Sequence, residues 1–163
     1  YEMPTVVTGR LISETGSNGS ADSVPIQISG ELVFPSGVTA SLYCSFETEN
    51  QQWINISGTK GHITLEDFVL PYFGSNLDFT ISQPGFEVDG CQFHMEKHDQ
   101  RITTHEHSDS HPNAQETLLF QKFSELVLSG KPDPHWPEIT LKTQRVMNAV
   151  LTSARNGGQE EAP

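Results

Sequence analysis

The hydrophobic periodicity of this chain changes once, near residue 110, and that change limits what it can fold into. Before it, apolar residues recur at every second position. From Val38 to Glu47 the even positions are Val38, Ala40, Leu42, Cys44 and Phe46, while the odd ones are Thr, Ser or Glu apart from Tyr43. Strict alternation places one face of a strand on a core and leaves the other polar. The same pattern runs through Leu77-Asp78-Phe79-Thr80-Ile81, Ile54-Asn55-Ile56 and Ile63-Thr64-Leu65, and further strands are predicted at 5–12, 26–34, 93–97 and 101–105. Pro35-Ser36-Gly37 and Gly58-Thr59-Lys60-Gly61 read as hairpin turns, and the Gly- and Ser-rich stretch 14–23 as a loop. Connections this short cannot make parallel crossovers. The expected sheet is therefore largely antiparallel, with six to eight strands.

After residue 110 the period becomes 3.6. Asn113 followed by Glu116 reads as a capping pair, opening a helix whose apolar face is Leu119, Phe123, Leu126 and Val127 and which ends before Gly130. The proline-punctuated stretch 131–137 reads as a non-helical connector. A second helix is predicted from about Thr140, with Val146, Met147, Val150, Leu151 and Ala154 on one side and Gly157-Gly158 closing it. Two helices cannot cover both faces of so large a sheet. The expected fold class is α+β: a large, mostly antiparallel open-faced sheet with two C-terminal helices packed on one face.

Charge and composition narrow the function. The 163 residues carry 9 Lys+Arg against 21 Asp+Glu, a net charge of −12, which disfavours a phosphate backbone as partner. No apolar run reaches the roughly 18 residues of a membrane span, and Tyr1-Glu2-Met3-Pro4 does not read as a signal peptide. Neither nucleic acid nor membrane is an expected partner. Cys44 and Cys91 are the only cysteines and form no C-x-x-C pair, so Cys44 reads as a small buried hydrophobe and the cytoplasm as the expected compartment.

The stretch Gly30-Glu31-Leu32-Val33-Phe34-Pro35-Ser36-Gly37-Val38-Thr39-Ala40, followed by Ile56-Ser57-Gly58-Thr59-Lys60-Gly61-His62-Ile63, resembles the C-terminal domain of the Gfo/Idh/MocA (glucose–fructose oxidoreductase/inositol dehydrogenase-like) family. Its closing helices are similar to Gln115-Glu116 through Phe123, Ser129-Gly130-Lys131-Pro132, Thr143-Gln144, Asn148-Ala149-Val150 and Ser153-Ala154. The resemblance covers nearly the whole chain, carried by the order of these segments rather than by any single motif. It implies that residues 1–163 form one substrate-binding and oligomerisation domain of an NAD(P)-dependent oxidoreductase acting on a sugar, polyol or related alcohol. Members of the family begin with a nucleotide-binding Rossmann domain and a catalytic Lys in Glu-Lys-Pro. This chain has no G-x-G-x-x-G, and Lys60, Lys97, Lys122, Lys131 and Lys142 all lack that context. The family's Asp-x-x-x-His motif would fall upstream of Tyr1. NAD or NADP is thus expected in the parent protein, with no cofactor and no catalytic residue in this chain, which alone should be inactive.

The resemblance also places candidate contacts. The segment before the strand that leads into the Gly-Thr-x-Gly hairpin approaches the nicotinamide in the family; here it is 47–52, and Glu49, Asn50 and Gln51 are the expected substrate-binding residues. Carboxylates and amides suit hydroxyl recognition. By alternation Ser41, Tyr43, Ser45, Trp53, Asn55 and Ser57 share a polar face with exposed aromatics, and Tyr43, Trp53 and Asn55 are the expected contacts of a homo-oligomer built through the open sheet face, as family members pair.

Other patterns read as structure. Five of the seven histidines fall between His94 and His111, and His105, His107 and His111 with Glu106 or Asp109 have the residue types of a zinc site. A short His-rich stretch is weak evidence, and no metal is expected. Glu47 and Glu49 read as surface charge rather than a glycosidase pair, and Gly58-Thr59-Lys60-Gly61 has no following helix to cradle a phosphate. The competing reading is a stand-alone β-rich module binding carbohydrate or a protein partner, using Trp53, Trp136 and Tyr72, without catalysis.

Overall fold

The structure, a computed structural model, describes residues 2–16, 23–69, 76–105 and 111–163. These residues form nine strands, all antiparallel where they pair, followed by two helices. The α+β class, the antiparallel pairing and the two C-terminal helices are as expected, with one strand more than the upper end of the range. The strands divide into three hydrogen-bonded ladders, and the chain into two compact units, residues 1–49 with 133–163 and residues 50–132.

The first unit holds β1 (Val6–Glu14), β2 (Pro25–Val33) and β3 (Thr39–Ser45) in that order, together with α2 (His135–Arg155). Register pairs Val7 with Leu32 and Gly9 with Gly30 across β1 and β2, and Gly30 with Leu42 across β2 and β3. Val7, Ala149 and Val150 form the buried core, with Ile28, Leu32 and Val146 packed against it. The chain's last residues close the free edge of β1: Val7 and Glu161 exchange backbone hydrogen bonds of 2.9 and 3.0 Å.

Helix α2 lies unusually close to the sheet because the sheet has no side chains where it crosses. A Cβ on Gly9 would sit 2.2 Å from the Val150 carbonyl oxygen, and one on Gly30 would meet Val150 at 3.0 Å. The facing helix residues Ala149, Ser153 and Ala154 are small and buried, whereas Met147, expected on this face, is exposed. The helix also begins at His135, five residues before the expected start. Pro137 sits in its first turn, where backbone N–H groups have no intrahelical acceptor, so proline costs no hydrogen bond there. Its end is as expected: Gly157 and Gly158 take positive φ of 72° and 86°, and the Gly158 N–H returns to the Ser153 carbonyl. The alternating face of β3 is in phase with the core face of β2, yet α2 packs mainly on β1. Ala40 and Leu42 are consequently half-buried, and Cys44 is exposed rather than buried.

The second unit holds β4 (Ile54–Gly58), β5 (Gly61–Leu65), β6 (Asn76–Ser82) and β9 (Asp99–His105) in the order β4-β5-β6-β9. The Gly58–Gly61 hairpin joins β4 to β5 as predicted. Cross-strand partners sort the ladder into an apolar face, Ile54, Ile56, Ile63, Leu65, Phe79, Ile81 and Ile102, and a polar one. Beyond Ser82 the β6–β9 ribbon continues as a separate pair, β7 (Gly85–Asp89) with β8 (Gln92–Glu96), turning at Gly90-Cys91, where Gly90 takes φ 58°. Strand β7 was not expected, although a glycine at the first central position of a two-residue loop, as Gly90 is here, is itself a hairpin signal.

Helix α1 (Gln115–Ser129) ends at Gly130, in the left-handed region at φ 62°, as expected. Its start differs. Ala114 occupies the N-cap without a side-chain bond, and the Asn113 N–H is instead engaged by His111 Nδ1 at 3.1 Å, so the Asn113–Glu116 capping pair does not form. The helix has no buried residue.

Candidate functional site

The polar face of the β4-β5-β6-β9 ladder carries the main concentration of chemistry among the described residues. Alternation along each strand and the observed register stack its side chains into rows: Ser57, His62, Ser82 and Asp99 in one, Asn55, Thr64, Thr80 and Arg101 in the next, then Asp78 opposite Thr103. Of these, His62, Thr64, Asp78, Thr80, Ser82, Asp99 and Arg101, together with Glu66, Asp67, Asn76 and Lys97, line a groove of about 810 Å³. That volume is within the 300–1,000 Å³ range of small-molecule sites, although this lining is polar where such sites are mostly apolar.

Two charge pairs order the groove. Arg101 Nη2 donates to Asp78 Oδ2, and Lys97 Nζ lies 2.8 Å from Asp99 Oδ2, while the Ser82 hydroxyl donates to Asp99 Oδ1 at 2.7 Å. The Thr103 hydroxyl, and then Arg101, hold the Asp78 carboxyl below its usual range. Asp99 is lowered chiefly by Lys97 and then by Ser82, and Lys97 is raised in turn by Asp99. Both carboxylates are thus ionised at neutral pH and keep their second role as hydrogen-bond acceptors. A face of carboxylates, hydroxyls, an imidazole and a guanidinium donates and accepts in the mixture that a polyhydroxylated ligand presents.

The expected substrate residues lie on the segment that precedes β4. Glu49 and Asn50 are exposed. Gln51 accepts from the Trp53 indole N–H through Oε1 at 3.0 Å. The next residue anchors the segment: the Gln52 side-chain amide donates to Asp67 Oδ1, and the Gln52 carbonyl receives the Phe68 N–H at 2.8 Å. The structure therefore couples this segment to Asp67, which lines the groove.

The expected contact residues separate. Tyr43 is on the open face of the first ladder, 52% exposed, and Asn55 is on the polar face of the second, where it pairs with Thr64. Trp53, just before β4, is 63% exposed. Trp136 is also exposed, while Tyr72 lies outside the described residues. Glu106, His107 and Asp109 lie outside them too, so the proposed histidine cluster is not described as a whole. Within β8, Glu96 engages His94 Nε2 at 3.0 Å and His98 Nε2 at 3.1 Å. Among the described residues no three His, Cys, Asp or Glu side chains are arranged to hold a metal.

Sequence reasoning missed the groove. Its signal was present in the polar phase of β6, Asp78, Thr80 and Ser82, but the partner strand that supplies Asp99 and Arg101 is set by long-range pairing, which local alternation does not encode.

Two comparisons bear on this arrangement. Residues 14–160 match the family model described as "Oxidoreductase family, C-terminal alpha/beta domain" of the Gfo/Idh/MocA group. Among solved structures, the fold is similar to an aldose–aldose oxidoreductase from Caulobacter crescentus complexed with glycerol, with a TM-score of 0.60 and 20% sequence identity. The alignment covers 99% of this chain and 42% of that one, so this chain spans less than half the length of the neighbour.

Proposed function

Given that this chain belongs to the Gfo/Idh/MocA oxidoreductase family, as its C-terminal alpha/beta domain, we propose that residues 1–163 are the substrate-binding and subunit-contact part of an NAD(P)-dependent oxidoreductase. The reaction is hydride transfer between a nicotinamide cofactor and a sugar, polyol or related alcohol. In such a reaction the cofactor carries the redox chemistry, and the protein orients the substrate and handles the proton. In this reading NAD or NADP, and the residues that move the proton, belong to a part of the protein outside this chain.

The match over residues 14–160 carries the reading. The segment Glu49, Asn50, Gln51 is the proposed substrate contact, and its tether to Asp67 supports that role. Gln52 fixes the backbone, and Trp53 holds the Gln51 side chain through its Oε1. The aldose substrate and glycerol ligand of the Caulobacter protein fit a polyhydroxylated substrate. Pairing of copies through the open sheet faces, with Tyr43, Trp53 and Asn55 as contacts, completes the proposal. The cytoplasm is its compartment.

The test is kinetic. In the full-length protein, Asn50→Ala and Gln51→Ala are expected to lower kcat/KM for the alcohol substrate about tenfold, corresponding to roughly 1.4 kcal/mol of lost transition-state binding. An unchanged kcat/KM removes the segment from the site. A full-length protein that transfers no hydride to or from any sugar or polyol, yet retains a carbohydrate on Trp53, supports the stand-alone binding module instead.

A further inference from the structure

The segment that follows α2 is held on β1 by a short series of bonds, all within the first unit. The Ser153 hydroxyl donates to the Gln159 carbonyl, and Glu161 exchanges backbone hydrogen bonds with Val7 at 2.9 and 3.0 Å. Between these points the chain turns through Gly157 and Gly158, at φ 72° and 86°. A side-chain bond spans the turn: Asn156 Nδ2 donates to Glu161 Oε1 at 3.3 Å. Glu161 is therefore held twice, by its backbone on the strand and by its carboxylate on Asn156.

Asn156 precedes a glycine, and that sequence carries its own chemistry. The backbone nitrogen of the next residue can attack an asparagine Cγ, forming a C–N bond as ammonia leaves, and water opens the resulting succinimide to aspartate or isoaspartate. A glycine has no Cβ to hinder the attack. The nucleophile is also unengaged here. The Asn156 and Gly158 N–H groups return to helix carbonyls at 3.0 and 2.8 Å, whereas the Gly157 N–H between them makes no backbone hydrogen bond among the described residues. The chain's other Asn-Gly pair, Asn18-Gly19, lies outside the described residues.

We propose that Asn156 is a site of spontaneous deamidation, and that loss of its amide unlatches the segment after α2 from β1. The product carboxylate replaces a donor 3.3 Å from Glu161 Oε1, so a hydrogen bond becomes a like-charge contact. It also adds negative charge at the C-terminal end of α2, where the helix dipole is already negative. The adjacent cation gives no relief in this arrangement, since Arg155 Nη2 donates to the Ser23 carbonyl at 3.0 Å. In the isoaspartyl product the main chain runs through the former side chain and gains one carbon, which shifts the turn that sets Gln159 against Ser153 and Glu161 against Val7. While the latch is closed the bond to Glu161 holds the carboxamide. Conversion therefore proceeds from the open state, and its rate reports how often the latch opens. None of these residues belongs to the proposed substrate or subunit contacts, so the site stands or falls apart from the oxidoreductase reading.

The test is peptide mapping by mass spectrometry of the full-length protein aged at mildly alkaline pH, with a synthetic peptide of residues 152–160 as the unrestrained reference. The expected product is aspartate and isoaspartate at position 156, formed more slowly than in the peptide. Glu161→Ala is expected to speed conversion about fivefold, the worth of one net hydrogen bond. An Asn156 that stays amidated in the protein and in Glu161→Ala while the peptide converts would overturn the site, and a rate unmoved by Glu161→Ala would overturn the latch. Hydrogen exchange reads the consequence. In Asn156→Asp the Val7 amide is expected to exchange several times faster than in the parent, with added salt narrowing the difference by screening the two carboxylates. Exchange should rise less in Asn156→Ser, which loses the bond but gains no charge. Equal exchange at Val7 in Asn156→Asp and in the parent would overturn the unlatching.

Discussion

Ser153 shows how much one buried hydroxyl can organise. Fully buried on α2, it accepts the Gly9 N–H of β1 at 2.9 Å and donates to the Gln159 carbonyl at 2.5 Å, linking helix, sheet and C-terminal segment. Ser153→Ala would leave the Gly9 amide buried without a partner, and is expected to destabilise the protein by about 1–3 kcal/mol. A lowered urea midpoint at constant slope, with faster hydrogen exchange at Gly9, is the readout. The groove carboxylates make a different prediction. Asp78 and Asp99 titrate below their unfolded values, so their contribution is complete above about pH 4 and is lost as the pH falls through their folded values. Lys97, raised by Asp99, keeps its contribution through neutral pH and loses it only in the alkaline range. Asp78→Asn together with Asp99→Asn should therefore flatten the acid limb of a Tm-against-pH curve and leave the shape of the curve around pH 7 to 8 unchanged. An acid limb as steep as in the parent would remove the two carboxylates from the account.

The elements separate what local sequence encodes from what it does not. Eight of the strands follow from alternation, and both helix ends follow from glycines at 130, 157 and 158, because backbone stereochemistry is local. The two helix starts differ from the expected ones, each for its own reason. Asn113 and the proline-rich stretch 131–137 look like a cap and a breaker, but His111 takes the Asn113 amide, and a proline in a first turn breaks nothing. The inward face of α2 was also misjudged, since small Ala149 and Ser153 point inward where larger Met147 does not. Their place is explained only by Gly9 and Gly30 on a sheet far away in sequence. Gly61 makes the same point for the second unit. It takes φ 148°, and a Cβ there would lie 2.2 Å from the Ser82 carbonyl oxygen on the neighbouring strand. Gly61→Ala is expected to cost about 1–3 kcal/mol by forcing β5 away from β6. A lowered urea midpoint is the readout, and an unchanged midpoint would remove the close approach of Gly61 to Ser82 from the account.

For the molecule as a whole, the family and fold class were legible in the order of short segments, while the groove and the partition into three ladders were not, since each depends on which distant strands pair. The candidate contacts Glu49, Asn50 and Gln51 came from resemblance, and the structure adds only how Gln51 and its neighbour Gln52 are held. A whole-chain expectation follows from the proposed division of labour: titration calorimetry of residues 1–163 alone should show no saturable NAD(H) or NADP(H) binding, and micromolar affinity would refute it. The paired backbone of Val7 and Glu161 carries a practical consequence. Loss of the segment around Glu161 would unzip the border of the first ladder and bare the edge amides of β1 to any passing strand, so variants with that pairing broken should clump before they melt.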